Sequence, residues 1–204
     1  TITGLTFTTN DEYAGLFGWL SRAGTVKNVV MEGVQITSNQ IYGGSIGGVV
    51  GSGWGTIENC SVSGSVSGTV YVGGVGAQID GSITGCSSSA TVKGMVDVGG
   101  VAGQTNSSAT LTACYATGNV TSTGSSTGNV HIFGLLGDNY TTVTACYWKN
   151  NQERGYKTAP ESTKVDGTYV TWENAVDAMN RALQNARSEW RYELKGALPT
   201  LRKQ

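Results

Sequence analysis

Charge, proline and long hydrophobic runs are all scarce in this chain of 204 residues. Charged residues make up 13 % of the chain and the formal net charge is −1, so no electrostatic argument supports nucleic acid or an anionic membrane as a partner. No apolar run reaches the ~18 residues that a transmembrane helix needs, which excludes such a helix. With two prolines and few strong helix formers, the composition favours strands and tight turns.

Glycine is abundant by contrast, at 31 residues, and it marks an internal repeat. Five times an apolar pair is framed by glycine or alanine, at Gly15–Gly18, Gly48–Gly51, Gly74–Ala77, Gly100–Gly103 and Gly134–Gly137. Each copy is followed by a branched aliphatic residue and, three positions later, by a second small apolar residue. These pairs are Val26/Val29, Ile57/Cys60, Ile83/Cys86, Leu111/Cys114 and Val143/Cys146. A period of roughly 26 to 34 residues is typical of stacked repeats.

The repeat predicts an all-β fold. One repeat cannot bury its apolar face alone, whereas stacked coils pair their strands with those above and below, about 4.8 Å apart. We therefore expect a parallel β-helix, or solenoid, of about five coils over residues 1–149. Right-handed winding is expected from the general handedness of β-crossovers. The odd spacing of Ile57 and Cys60 breaks strict alternation, so a bend or bulge near Glu58 and Asn59 should let both face inward.

The four cysteines occupy the same slot in successive copies, and Val29 fills that slot in the first copy. A slot that takes valine or cysteine indicates a small buried hydrophobe. Stacking would hold neighbouring Cβ atoms about 4.8 Å apart, beyond the usual disulfide range of about 3.5–4.5 Å. We therefore predict a reduced internal ladder of Val29, Cys60, Cys86, Cys114 and Cys146. Two disulfides are the alternative in a secreted chain. A zinc site would want CxxC-like or HxxxH-like clusters, and none is present, so no metal or other cofactor is expected.

After Trp148 the repeat stops and the charge density rises. Apolar residues from Trp172 to Trp190 recur at helical spacing and Thr171 suits an N-cap, which predicts an α-helix over about 172–188. An open solenoid end exposes strand edges and core, so residues 150–204 are expected to form a capping segment packed on the last coil. A partner-binding amphipathic helix is the alternative. Residues 190–194 suggest a short strand, and residues 196–201 a terminal turn.

Three stretches resemble the GLUG repeats of bacterial surface proteins: residues 15–29, 57–64 and 71–86. The ending Cys146–Trp148 is similar to the last unit of such arrays, and only Gly74–Ala77 departs from the pattern. The resemblance covers residues 1–149. It implies a secreted or cell-surface bacterial module of adhesins, haemagglutinin-like proteins or immunoglobulin A protease stalks, without catalytic residues. The first residues already look like a strand and no signal peptide precedes them, so we expect a larger precursor on the N-terminal side.

Enzymatic chemistry finds little support in the sequence. Polysaccharide-active enzymes share β-helical architecture, but they need clustered acids with a basic residue on one sheet face. Asp80, Asp97 and Asp138 are isolated in the sequence, and His131, the only histidine, is expected to be structural or simply exposed. No nucleophile motif, phosphate-binding loop or metalloprotease motif occurs. We expect no enzyme, with a polysaccharide-active β-helix as the remote alternative.

Aromatic residues near the turns are better candidates for a binding surface. Trp54, Tyr115 and Tyr147 are the candidate ligand contacts, since exposed rings can stack on sugars or anchor a protein partner. The sequence thus favours an adhesin or stalk that presents a surface to a host protein or glycan. Its alternative is a passive spacer in a larger secreted protein, in which these rings only cover strand surface.

Overall fold

A computed structural model describes residues 1–124, 131–138, 141–152 and 162–204. Within them the solenoid strands form four parallel sheets, here called sheets I to IV in the order in which a coil visits them. Sheet I contains Ile2–Thr3, Thr6–Thr9, Val30–Ser38, Ser61–Ser67, Ser87–Ser88, Thr91–Gly94, Tyr115–Ala116, Val120–Ser122, Cys146–Trp148 and Ser162–Lys164. Sheet II contains Tyr13–Ala14, Ser45–Gly47, Tyr71–Gly73, Asp97–Gly99 and His131–Phe133. Sheet III contains Phe17–Leu20, Val50–Gly53, Gly76–Ile79, Ala102–Thr105 and Leu136–Asp138. Sheet IV contains Thr25–Lys27, Thr56–Glu58, Ser82–Thr84, Thr110–Thr112 and Thr142–Thr144.

Equivalent residues of successive coils lie in register. Ile57 pairs with Val26 on one side and with Ile83 on the other, and Ile83 pairs in turn with Leu111. These side chains are buried and, with the equivalent aliphatics of sheets I to III, form one continuous core inside the rod. The prediction of an all-β parallel solenoid of about five coils is confirmed. Its handedness stays a prediction.

A left-handed residue explains the three-residue offset within each pair. Between sheets IV and I, the residue before the second member of every pair has φ between 50° and 62°. These residues are Asn28, Asn59, Gly85, Ala113 and Ala145. The left-handed residue interrupts the alternation of a strand, so side chains three positions apart both face the core. The bend expected near Asn59 therefore recurs in all five coils.

The C-terminal segment forms a helix and an antiparallel hairpin. Helix α1 spans Trp172–Asn185, and the Thr171 side chain caps its N-terminus by accepting a hydrogen bond from the Asn174 amide. The helix ends before residue 188 because Arg187 adopts φ 55°, which turns the chain away. The hairpin pairs Trp190–Lys195 with Leu198–Lys203. Of residues 196–201, which were expected to form a terminal turn, 196 and 197 form the turn of the hairpin, and 198–201 belong to its second strand. Proline is tolerated there because this strand lies at a sheet edge.

The helix and hairpin lie over sheet I in the last coils. Met179 and Leu183 form a second apolar cluster with Ala113 and Tyr115 of the solenoid. Residues 162–164 also pair with the strand Cys146–Trp148 and so extend sheet I. The division into domains at residues 149 and 150 stays a prediction. Among the described residues, no helix has the length and apolar character to cross a lipid bilayer.

Candidate functional site

Val29 and the four cysteines lie in one column of the rod, because the residues that follow them pair in register along sheet I. All four cysteines are free and buried. The backbone N–H of each of the first three donates to the sulfur of the next coil: Cys60 to Cys86 Sγ at 3.4 Å, Cys86 to Cys114 Sγ at 3.4 Å, and Cys114 to Cys146 Sγ at 3.3 Å. Val29, at the end of the column, is half-buried.

The same surroundings raise the thiol pKa of Cys60, Cys86 and Cys114, which keeps these three groups protonated. Burial raises the pKa of Cys86 and of Cys114 well above the ordinary value. The pKa of Cys60 is raised first by its hydrogen bond with Cys86 and then by burial. Because the thiolate is the nucleophile and the metal ligand, this column is internal packing and offers no reactive sulfur at the surface.

A cluster of three aromatic rings lies on the surface of the first two coils. The Trp19 ring lies between Tyr13, at a centroid distance of 5.2 Å and an angle of 67°, and Trp54, at 5.0 Å and 81°. We call Tyr13, Trp19 and Trp54 the aromatic cluster. Trp54 follows the sheet III strand whose Gly53 pairs with Leu20, so stacking of the two coils brings both tryptophans together. Trp19 and Trp54 remain 46 % and 43 % exposed, and neighbouring Phe17 is 45 % exposed.

Polar groups border the cluster at Trp54. Burial raises the pKa of Asp80, while side-chain hydrogen bonds with Trp54 and Asn106 act in the opposite direction. The Asn106 side chain also accepts a hydrogen bond from the Ser108 amide at 2.9 Å, which holds the turn in place. The Asp80 carboxylate thus lies beside the exposed Trp54 indole, and the Asn106 amide lies next to that carboxylate. Rings offer an apolar face and the polar groups offer donors and acceptors, which is the combination that suits a sugar ring.

Tyr115 and Tyr147 occupy a different surface from Trp54. They are paired neighbours on sheet I, but the C-terminal segment covers that surface. The Tyr115 hydroxyl donates to the Pro199 carbonyl at 2.6 Å, and its ring contacts those of Trp172 and Tyr192. Tyr147 packs, partly buried, against the same apolar cluster. Of the three predicted contacts, Trp54 alone belongs to the exposed aromatic cluster, because the C-terminal segment docks on Tyr115 and Tyr147. No pattern in the sequence indicates where that segment docks.

A cleft of about 420 Å³ separates sheet I from the C-terminal hairpin. The sheet I residues that line it include Ser61, Ser63, Ser87 and Ser89, and the hairpin contributes Leu198 and Pro199. Two hydroxyl groups hold the hairpin on the solenoid: Tyr115 donates to the Pro199 carbonyl, and Tyr192 donates to the Ala113 carbonyl. The second strand of the hairpin lines the cleft. It is a second surface that combines polar and apolar groups.

Asp97 and Asp138 are not isolated from His131, contrary to the interpretation from the sequence. His131 Nδ1 lies 2.8 Å from Asp97 Oδ1 and 3.9 Å from Asp138 Oδ2. The repeat register contained part of this signal: Val98 pairs with Ile132, so the preceding residues Asp97 and His131 are paired neighbours. Asp138 was missed because it reaches the pair across the corner between sheets II and III.

Comparison with known proteins supports the repeat. Residues 42–67 match the family model described as the GLUG motif. The chain is 45 % identical over 130 residues to halomucin of Haloquadratum walsbyi, an alignment that covers 64 % of this chain and 1 % of that protein. No solved structure matches this chain. The resemblance stated from the repeat is thus confirmed. The relative is archaeal, so bacterial origin stays a prediction.

Proposed function

We propose that this β-solenoid, which carries the GLUG motif at residues 42–67, is a non-catalytic extracellular or cell-surface module whose aromatic cluster binds carbohydrate. The exposure of Trp19 and Trp54 is the observation that carries this proposal. Large apolar side chains grouped at a surface mark interaction sites, and here two indole rings keep nearly half of their area in water. The GLUG motif and the relative named halomucin support a surface or secreted location.

Chemistry narrows the ligand class to a neutral glycan. Asp80 lies beside Trp54, and Asn106 lies beside Asp80, so a carboxylate and an amide are close to rings that suit the apolar faces of pyranoses. A net charge of −1 and the carboxylate at the site disfavour polyanionic glycans. The alternative ligand is a host surface protein that binds to the same aromatic rings.

A passive spacer is the alternative function. Its support is that the chain spans about 1 % of the length of the relative it matches, so this module is small beside that protein. In that case the rod sets distance and the aromatic cluster covers strand surface, as in the stalk of a larger secreted protein such as an immunoglobulin A protease.

A glycan array combined with a matrix-protein screen tests the proposal. We expect neutral glycans to bind, and Trp54→Ala and Trp19→Ala each to weaken binding about tenfold, which corresponds to about 1.4 kcal/mol. Tyr169→Ala is the matched control, because Tyr169 is an exposed aromatic in the C-terminal segment. Circular dichroism establishes that the variants remain folded.

Other results of the binding screen distinguish the alternative functions. Absence of binding to any glycan or matrix protein, or equal binding by the tryptophan variants and the control, contradicts the proposal and favours the spacer. If only matrix proteins bind, and the Trp54→Ala variant loses this binding, the ligand is a protein and not a glycan. Appearance of new reducing ends in a bound glycan would instead reveal a polysaccharide-active enzyme.

A further inference from the structure

We infer that Asp97, His131 and Asp138 form a binding site for a divalent transition-metal ion of the Zn²⁺ class. Each residue offers one ligand atom, and the three atoms lie within 4.8 Å of one another. This site is separate from the aromatic cluster and does not depend on the proposed function.

Stacking of coils builds the site from three strands. Asp97 begins a sheet II strand and pairs directly with His131 in the next coil, while Asp138 ends the sheet III strand of that later coil. The side chains of Asp97, His131 and Asp138 are only 7 %, 14 % and 12 % exposed. Two carboxylates are thus held against one imidazole in a mostly buried place, in a chain that rarely uses charge.

The distances between the three ligand atoms suit a small cation if the atoms move somewhat closer together. Zinc bonds of about 2.0–2.2 Å place neighbouring ligand atoms roughly 2.8–3.6 Å apart in tetrahedral or octahedral geometry. The distance from His131 Nδ1 to Asp97 Oδ1 is 2.8 Å, inside that range. The distance from His131 Nδ1 to Asp138 Oδ2 is 3.9 Å, and all three ligand atoms lie within 4.8 Å of one another, so Asp138 has to move inward to complete the set.

The chemistry of the ligand atoms suits a transition-metal ion. Such an ion binds carboxylate oxygens together with the nitrogen of an imidazole. The mixed set of one nitrogen and two carboxylate oxygens suits Zn²⁺ or Co²⁺, whereas Ca²⁺ and Mg²⁺ prefer sites made of oxygen ligands.

A chain of amides orients the Asp97 carboxylate from behind. Gln104 Nε2 donates to Asp97 Oδ2 at 3.4 Å, and Gln78 Nε2 donates to Gln104 Oε1 at 3.1 Å. Gln78, Gln104 and Asp138 occupy one register column of sheet III. Hydrogen bonds of this kind fix a ligating carboxylate, and they leave Asp97 Oδ1 directed at His131.

Titration of the full, tag-free chain with Zn²⁺ in a calorimeter tests the inference. We expect one ion per chain, with Ca²⁺ and Mg²⁺ binding more weakly. Asp138→Asn and His131→Gln should each weaken Zn²⁺ binding by about tenfold or more. The control is Asp177→Asn, which removes an exposed carboxylate on helix α1 and should bind like the unaltered chain.

Two readouts keep the test decisive if a variant fails to fold. His131 is the only histidine, so a single imidazole signal in the nuclear magnetic resonance spectrum must shift with Zn²⁺ in the unaltered chain. Co²⁺ should give visible bands without the intense near-ultraviolet band of cobalt–thiolate bonds. An unmoved imidazole signal at millimolar Zn²⁺, or a thiolate band that shows binding by the cysteines, overturns the inference and leaves His131 as the hydrogen-bond partner of Asp97.

Discussion

Replacing Gly74 by alanine places a methyl group directly against the next coil. A Cβ atom built on Gly74 overlaps Ser88 Oγ and the carbonyl oxygen of Gly100, and it lies 2.7 Å from Ser88 Cβ. The serine hydroxyl can rotate away, but the Gly100 carbonyl belongs to the backbone of the coil above. Gly100 meets the carbonyl of Gly134 in the same way, so the framing glycines mark a column in which successive backbones approach closely.

The cost of Gly74→Ala follows from this contact. Inserting a methyl group into a well-packed interior costs about 1–3 kcal/mol, and occasionally more. We expect about 3 kcal/mol here, because relief requires two stacked backbones to separate. For a chain of this length, each kcal/mol lowers the melting temperature by about 2–4 °C, so the expected decrease is about 6–12 °C.

Urea unfolding followed by circular dichroism, together with calorimetry, measures the effect. The control is Gly124→Ala, because Gly124 is exposed and its added methyl group would meet only the flexible end of Met95. We expect this control to change the free energy of unfolding by less than about 0.5 kcal/mol. If the two variants unfold within about 0.5 kcal/mol of each other, close backbone packing is not the reason for the glycine column.

Two further predictions concern the thiol column and the C-terminal segment. The folded chain should react with a thiol reagent at least about 1000-fold more slowly than the unfolded chain, which should release four thiols, since the cysteines are buried and their exposure requires opening of the rod. Finding no free thiol after unfolding would establish disulfides instead. Leu183→Ala should cost about 2–5 kcal/mol, because Leu183 is fully buried between helix and solenoid, and it should make the C-terminal segment the first site of limited proteolysis. The exposed-face variant Gln184→Ala should do neither, and equal protease sensitivity of the two would argue against docking through Leu183.

The repeat predicts the solenoid, because residues with the same offset in successive repeats occupy equivalent positions in stacked coils. The first residues of the pairs Ile57/Cys60 and Ile83/Cys86 belong to one inward column, and the second residues belong to another. Because the two residues of a pair are three positions apart, the inward and outward alternation of side chains has to break near Asn59. The structure supplies that break as a left-handed residue, which asparagine, glycine and alanine all adopt here. The hydrophobic period of the tail likewise sufficed to predict helix α1, although not its last turn.

Contacts across the corners of a coil, and contacts with the C-terminal segment, could not be predicted from the repeat. Trp19 and Trp54 belong to different coils and adjoin only because both project near the same edge of sheet III. The burial of Tyr115 depends on the path of the hairpin, which carries no repeat. A pattern of spacings reports which residues share a column, and it does not report which columns approach each other around a coil.

The amino-acid sequence by itself determined the coil period, the in-register stacking and the inward columns, because each follows from local strand geometry repeated along the chain. Tertiary structure alone decided that Asp97 and His131 meet Asp138, and that Tyr115 is covered while Trp54 is exposed. These contacts depend on how sharply each corner turns and on where the unrepeated tail docks. Both are set by packing between distant residues, which no single repeat encodes.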